Sequence, residues 1–303
     1  MLLERLRKQS GLTTAQIEMY AATASKRYKI YTIKKKNGGD RTIEHPSRAL
    51  KSLQRWVNKS IISKLPTHVS ATAYAKGCSI RKNAQHHLGS IFTLHVDFKS
   101  FFPSFKSDGI SDFFRIKSKE LGIELSEEDV NFITRIVCRN NCLTIGAPTS
   151  PSITNAIMFE FDDVVNEWCN QRRLVYTRYA DDLYISAFEP GMLSDVIPFL
   201  ISALDKQRFV RLKINHDKTA FLSKKYRRAI TGIIITTEGK LSIGLKRKKL
   251  IKSMVLDFKY GRLPMEDKSR LHGLISFALD IEPAFHETLI RKYGENTIKS
   301  IST

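Results

Sequence analysis

An α+β fold is predicted for this 303-residue chain, on three observations. Residues 91 to 220 read strand, helix, strand, acidic turn, strand, helix, strand, which is a βαββαβ unit. At its centre Arg173-Leu-Val-Tyr-Thr-Arg-Tyr179 and Leu183-Tyr-Ile-Ser-Ala-Phe188 flank Ala180-Asp181-Asp182, a hairpin with two carboxylates at its tip. From Lys246 onward the pattern is helical, in about three pieces broken at Gly261-Arg-Leu-Pro264 and Glu282-Pro283.

Taken in order, the first twenty-odd residues read as one helix, with Leu3, Leu6, Ile17 and Met19 on apolar positions. Tyr28 to Ile33 and Arg41 to Pro46 read as two strands around a basic turn, Lys34-Lys-Lys-Asn-Gly-Gly-Asp40, whose glycines let the backbone lie close to a phosphate. Leu50 to Leu65 has helical apolar spacing, with Lys51, Arg55 and Lys59 on its other face. Ala73 to Ile80 is a glycine-bearing loop, followed by Asn83-Ala-Gln-His-His87, whose adjacent histidines point about 100° apart on a helix, rarely converge on one ion, and read as polar surface or capping groups more often than as metal ligands.

Ile91 to Asp97 is an apolar strand ending in an acid, poised at a sheet edge; capping of a following helix is the alternative for Asp97. Ser126, with Asp129 three residues on, opens a helix to about Arg139. Ser150-Pro151 opens a long helix to Asn170 whose N-terminus offers free N–H groups to an anion. After the acidic hairpin come a helix at 194–206 and strands at 210–218, 229–235 and 241–243. This order can set Asp97 beside Asp181 and Asp182, although Asp97 and Asp181 lie 84 residues apart.

Hydrophobic residues at 42% and aromatics at 10% exclude a disordered chain, and a net charge of +20 points to a polyanion partner. The charge is uneven. Residues 1–90 carry 18 cations against 4 acids, residues 91–235 carry 19 against 18, and residues 236–303 carry 13 against 8. Two basic arms thus flank a nearly neutral centre, an arrangement suited to gripping phosphates around acidic chemistry. No run of eighteen apolar residues occurs and Met1 to Lys8 lacks a signal-peptide pattern, so a cytoplasmic protein without membrane association is expected. Cys138 and Cys142, at i and i+4 without nearby histidines, read as buried helix side chains rather than a zinc site or a disulfide.

Three carboxylates on one sheet edge between basic arms suit two Mg²⁺ ions and a phosphoryl or nucleotidyl transfer. With these residues the chain resembles a reverse transcriptase of the bacterial retron type. Tyr179-Ala-Asp-Asp182 matches the catalytic box, Val96-Asp97-Phe98-Lys-Ser-Phe-Phe102 the first-aspartate block, Gly146-Ala-Pro-Thr-Ser-Pro151 with Asn155 the nucleotide-supporting block, and Arg41-Thr-Ile-Glu-His-Pro46 the fingers. Asn83-Ala-Gln-His-His87 and Ile230-Thr-Gly232 fit two retron-specific elements, the second with Ile in place of the usual Val. Ile145 replaces a glutamine that many members have.

The resemblance implies a right-hand polymerase, with fingers at 1–90 and part of 103–150, a βαββαβ palm at 91–235 and a helical thumb at 236–303. It implies that Asp97 and Asp181 bind both Mg²⁺ ions and that Asp182 supports one of them. Lys218 is implied as a proton donor or phosphate partner. Arg41, Phe102, Gly146, Ala147, Pro148 and Tyr179 are implied around the deoxynucleoside triphosphate, with Phe102 excluding a ribose 2′-hydroxyl. Asn83, His87, Lys246, Arg247, Lys248 and Lys249 are implied on the RNA. The implied partners are a cognate structured noncoding RNA, serving as template and as primer through an internal 2′-hydroxyl, the RNA–DNA product, and an effector protein in antiphage defence.

Three other functions compete with this one. A group II intron maturase needs a DNA-binding or endonuclease segment beyond the thumb, for which no room is expected. A nucleotidyl cyclase lacks the basic fingers and the block at 146–151. An RNA-binding scaffold of a toxin–antitoxin-like complex would not need the three aspartates.

Overall fold

The computed structural model describes residues 2–34, 38–223, 225 and 228–302, so Lys35, Lys36 and Asn37 of the basic turn lie outside the described residues. The N-terminal stretch forms two helices, α1 (Leu2–Ser10) and α2 (Thr14–Thr23), rather than one. Gly11 adopts φ +69°, and Thr13 with Gln16 forms a capping box that starts α2 afresh. Strands β1 (Tyr28–Lys34) and β2 (Asp40–Pro46) pair antiparallel from Tyr28↔Pro46 to Lys34↔Asp40. Helix α3 (Arg48–Ser60) follows, capped by Ser47, and then α4 (Ile80–His86), capped by Ser79.

The central sheet is built from β3 (Phe92–Asp97), β4 (Val175–Tyr179), β5 (Asp182–Ala187) and β6 (Ala220–Ser223), in the order β4-β5-β3-β6. Between β3 and β4 lie α5 (Phe101–Ser104), α6 (Ser107–Glu120), α7 (Glu127–Val137), α8 (Ser150–Ile157) and α9 (Phe159–Gln171), and α10 (Val196–Asp205) joins β5 to β6. The βαββαβ order therefore holds. The capping box at Ser126 and Asp129 is present, and buried Asp129 also accepts from the N–H groups of Leu2 and Leu3, so one carboxylate caps α7 and receives α1.

Around the central sheet, two expected elements differ. The long helix at 150–170 is divided at Met158, where ψ relaxes to 0°. The strand expected at 210–218 is displaced to β6: the chain before it makes a single bridge, Ile214↔Phe98, and then a 3₁₀ turn at His216–Lys218. The N–H groups of Lys218 and Thr219 turn back onto the Asn215 carbonyl, which costs the ladder but brings Asn215 and Lys218 to the end of β3.

Alternation divides the central sheet into two faces. Tyr176, Arg178, Leu183, Ile185, Leu94 and Val96 are buried, and most of them join the large core that includes Phe161 and Val165 of α9. The other face carries Thr93, His95, Asp97, Thr177, Tyr179, Asp182, Tyr184 and Ser186, by the pairing register.

A second core holds β7 (Arg228–Ile230), β8 (Ile233–Ile235) and β9 (Leu241–Ser242) against α11 (Leu245–Lys259), α12 (Met265–Ile281), α13 (Pro283–Tyr293) and α14 (Glu295–Ser302). Residues 228–235 thus pack with the thumb-side core, earlier than the boundary expected at 235. Their single expected strand is a hairpin turned at Thr231 and Gly232, both at positive φ, and Gly294 adds a break that makes four C-terminal helices where three were expected. All four cysteines are free; Cys138 is buried at the end of α7, whereas Cys142 lies in the following turn rather than on a helix.

Candidate active site

Asp97 ends β3 and Asp182 opens β5, and the two are direct partners across the ladder. Asp181 sits in the two-residue connection between Tyr179 and Asp182, and its carbonyl accepts from the Phe98 N–H at 3.1 Å. The three aspartates therefore gather at one end of the central strands. Burial, and then the neighbouring Asp182 and Asp97, push the Asp181 carboxyl up to about 6. A cation at this place would reverse that penalty.

Each of the other carboxylates has a polar partner. Lys218 Nζ lies 2.9 Å from both oxygens of Asp97, and the Asn215 amide donates to Oδ1 at 2.9 Å. Lys218, although more than half exposed, thus touches Asp97 rather than water alone. His95 Nε2 lies 2.6 Å from Asp182 Oδ1, and its ring stacks on Tyr184 with centroids 4.9 Å apart. Among the described residues no three acidic, histidine or cysteine side chains form a ready-made metal cluster. The donor set nonetheless fits hard divalent cations, being all carboxylate oxygen, and the Lys218 ammonium already stands as a cation on Asp97.

A cleft of about 580 Å³ opens from Asp181 and Lys218, passes Phe102 and reaches Arg41 on β2. Ile145 and Tyr74 also line it; Tyr74 is exposed at φ +61°, 6.5 Å from the Tyr179 ring. Gly146, Ala147 and Pro148 do not line this cleft. Gly146 has φ +120° and packs on β2, where an added Cβ would meet the Glu44 carbonyl at 2.9 Å. The Glu44 N–H donates to the Ile145 carbonyl at 2.9 Å, and Arg139 pairs with Glu44, so this loop fastens the first hairpin over the cleft. The backbone at Ile145 makes that attachment, whatever its side chain.

The structure corrects the RNA-contact expectation at Asn83 and His87, both of which are fully buried. The Thr177 hydroxyl donates to Asn83 Oδ1 at 2.6 Å, so its oxygen accepts from His87 Nε2 at 2.8 Å, leaving Nδ1 to accept from Ser186 Oγ at 2.8 Å. Asn83 Nδ2 reaches the Thr231 hydroxyl at 3.5 Å, and the Thr231 N–H donates to the Tyr184 hydroxyl at 3.0 Å. The stretches Asn83 to His87 and Ile230 to Gly232 are therefore one joint fastening α4 and the β7–β8 turn to the polar face of the sheet.

The basic run on α11 also divides. Arg247 donates to the Gly232 carbonyl at 2.7 Å and lies over the Phe277 ring, while Lys248 pairs with Glu282. These two hold the thumb together; Lys246 and Lys249 are exposed.

Sequence reasoning missed His95, Asn215 and Arg178. For His95 a signal existed, since Thr93, His95 and Asp97 alternate along one strand and must share a face. Asn215, three residues before Lys218, was legible only as part of a strand that does not form there. Arg178 is fully buried, and nothing in the spacing of Arg173 to Tyr179 marks it as inward.

The chain is similar in sequence and in fold to known proteins. The family model for reverse transcriptase (RNA-dependent DNA polymerase) matches residues 33–235. The chain is 36% identical over 282 residues to the retron Ec83 reverse transcriptase of Escherichia coli, covering 90% of this chain and 89% of that one. It is 32% identical over 310 residues to the retron Ec86 reverse transcriptase of the same species, covering 99% and 93%. Among solved structures, telomerase from Candida albicans in complex with a fragment of telomeric RNA is similar, with a TM-score of 0.53 at 13% identity over 95% of this chain and 59% of that one, a likeness of fold.

Proposed function

The chain belongs to the reverse transcriptase family, is of the retron type and is an RNA-directed DNA polymerase, and from that premise we propose that it copies a cognate structured noncoding RNA into single-stranded DNA from a 2′-hydroxyl of that RNA. The product is then a branched RNA–DNA molecule, made in an antiphage system with an effector protein. Both relatives are named as retron reverse transcriptases, and the priming and the defence role are what the resemblance to the retron type implies. The single observation that carries the chemistry is the meeting of Asp97, Asp181 and Asp182 at the mouth of a cleft that extends to Arg41 and Phe102. No helix among the described residues is long and apolar enough to cross a membrane.

In this reading the primer hydroxyl gives up its proton to water, its oxygen bonds to the α-phosphorus of a deoxynucleoside triphosphate, and the bond from that phosphorus to pyrophosphate breaks. Two Mg²⁺ ions, when bound, supply the charge that favours the attacking alkoxide and the leaving pyrophosphate. Asp97 and Asp181 would hold both ions and Asp182 would support one of them. Arg41 grips the triphosphate with its planar fork, and Phe102 stands against the sugar, rejecting a 2′-hydroxyl. Lys218, released from Asp97 as the site fills, carries a proton to the departing pyrophosphate. Lys246 and Lys249 meet RNA phosphates.

Purified protein with its native RNA is expected to make DNA, and Asp181→Asn and Asp182→Asn are each expected to lose that synthesis. Sequencing the nucleic acid that copurifies tests the priming, a 2′-branched species being the expected result. Absence of DNA, or intact synthesis in both variants, would overturn the reading. The same variants assayed for phage protection separate catalysis from RNA binding alone.

A further inference from the structure

Beneath the catalytic turn lies an ion pair that the chemistry above does not use. Arg178 of β4 and Asp162 of α9 are both fully buried, with Nε 2.8 Å from Asp162 Oδ1 and Nη2 2.6 Å from Oδ2. The Tyr176 hydroxyl donates to the same carboxylate at 2.7 Å, so Asp162 is held from a second side. The remaining nitrogen, Nη1, donates to the Ala180 carbonyl at 3.2 Å and to Asn155 Oδ1 at 3.1 Å. Ala180 has φ +58°, a conformation that a side-chain-bearing residue adopts only when its surroundings hold it there. Its carbonyl belongs to the peptide plane that leads into Asp181.

The same guanidinium reaches the cleft by a second route. Asn155 passes the restraint on by donating to the Ala73 carbonyl at 2.9 Å, next to Tyr74, which stands in the cleft at φ +61°. The backbone of Arg178 pairs with this segment as well, its N–H donating to Ser70 O at 2.7 Å and its carbonyl accepting from Thr72 N–H at 2.8 Å. A buried ion pair is a weak source of stability compared with an apolar pair of the same volume, whereas its directed bonds fix geometry. We infer that Arg178, clamped by Asp162, is a positioning residue that holds the Ala180–Asp181 peptide plane, and with it the Asp181 carboxylate, in register with Asp97.

This rests on the polymerase reading of Asp181, and the test keeps the two apart. The double variant Arg178→Met/Asp162→Val removes both charges at nearly the same total volume. It is expected to fold and to bind RNA as the parent does, with a lower melting temperature because the Tyr176 hydroxyl, the Ala180 carbonyl and the Asn155 oxygen lose their buried partners. Its kcat for DNA synthesis should fall about 10- to 100-fold with KM for the triphosphate unchanged, since Arg41 and Phe102 lie elsewhere in the cleft. Mn²⁺ binding measured by calorimetry without substrate should weaken in parallel. Arg178→Lys, which keeps the charge but loses the fork, should show the same split and decides alone if the double variant does not fold. A kcat within about twofold of the parent overturns the inference, provided that Asp181→Asn abolishes synthesis. Synthesis surviving Asp181→Asn would instead remove the premise.

Discussion

Burial holds the His87 imidazole down at about 3, and the ring is neutral in the folded protein, bonded at both nitrogens. An unfolded chain takes up that proton near pH 6.5, so between roughly 6.5 and 3 the unfolded state binds more protons and stability falls as pH falls. Urea unfolding at about pH 6 and about pH 5 should therefore show the parent losing roughly 1 kcal/mol more than His87→Gln, whatever the variant's own stability. Equal losses would mean that the ring is not buried neutral. The meeting of Asp97, Asp181 and Asp182 was legible, because the order of strands and helices sets the end of β3 beside the hairpin tip. The roles of Asn83 and His87 were not, because a polar side chain reads alike on a surface and in a satisfied buried network. Their partners, Thr177, Ser186 and Thr231, are 90 or more residues away.

Among the elements, α6 shows how closely the helices approach the chain behind the palm. A Cβ built on Gly109 would stand 2.1 Å from the Phe209 carbonyl, whereas one on Gly273, inside α12, meets nothing within 4 Å. Gly109→Ala is expected to destabilise by about 1–3 kcal/mol through forced displacement of the 206–210 loop. Gly273→Ala should stabilise by roughly 0.5–1 kcal/mol by removing a mid-helix glycine. Thermal unfolding of the two variants side by side checks both signs. Elements bounded by caps and turns, such as α7 at Ser126 and the β1–β2 hairpin, were legible because their signals are local. The strand expected at 210–218 failed because its alternation is genuine but its hydrogen bonds are spent turning Asn215 and Lys218 toward Asp97.

For the whole molecule, the charge of +20 predicts RNA affinity that falls steeply with salt. Lys246→Ala and Lys249→Ala should each lower the slope of log K against log salt by roughly 0.7 to 1, as expected for lost phosphate contacts. Lys248→Ala should leave that slope unchanged and lower the melting temperature, because its ammonium is held by Glu282. Filter binding across a salt series, with a melting curve for each variant, separates the two. The residues by themselves determined the α+β class, the βαββαβ order, the acidic hairpin and the basic arms, since each follows from periodicity, turn chemistry or charge within a short stretch. Only the tertiary structure decided which polar groups reach the cleft and which are walled in. Lys218 and Arg41 came to line it, whereas Asn83 and His87 became a joint and Arg178 turned inward beneath Asp181. Those outcomes depend on which face of one strand meets which face of another, and contacts between residues so distant in the chain leave no mark in local spacing.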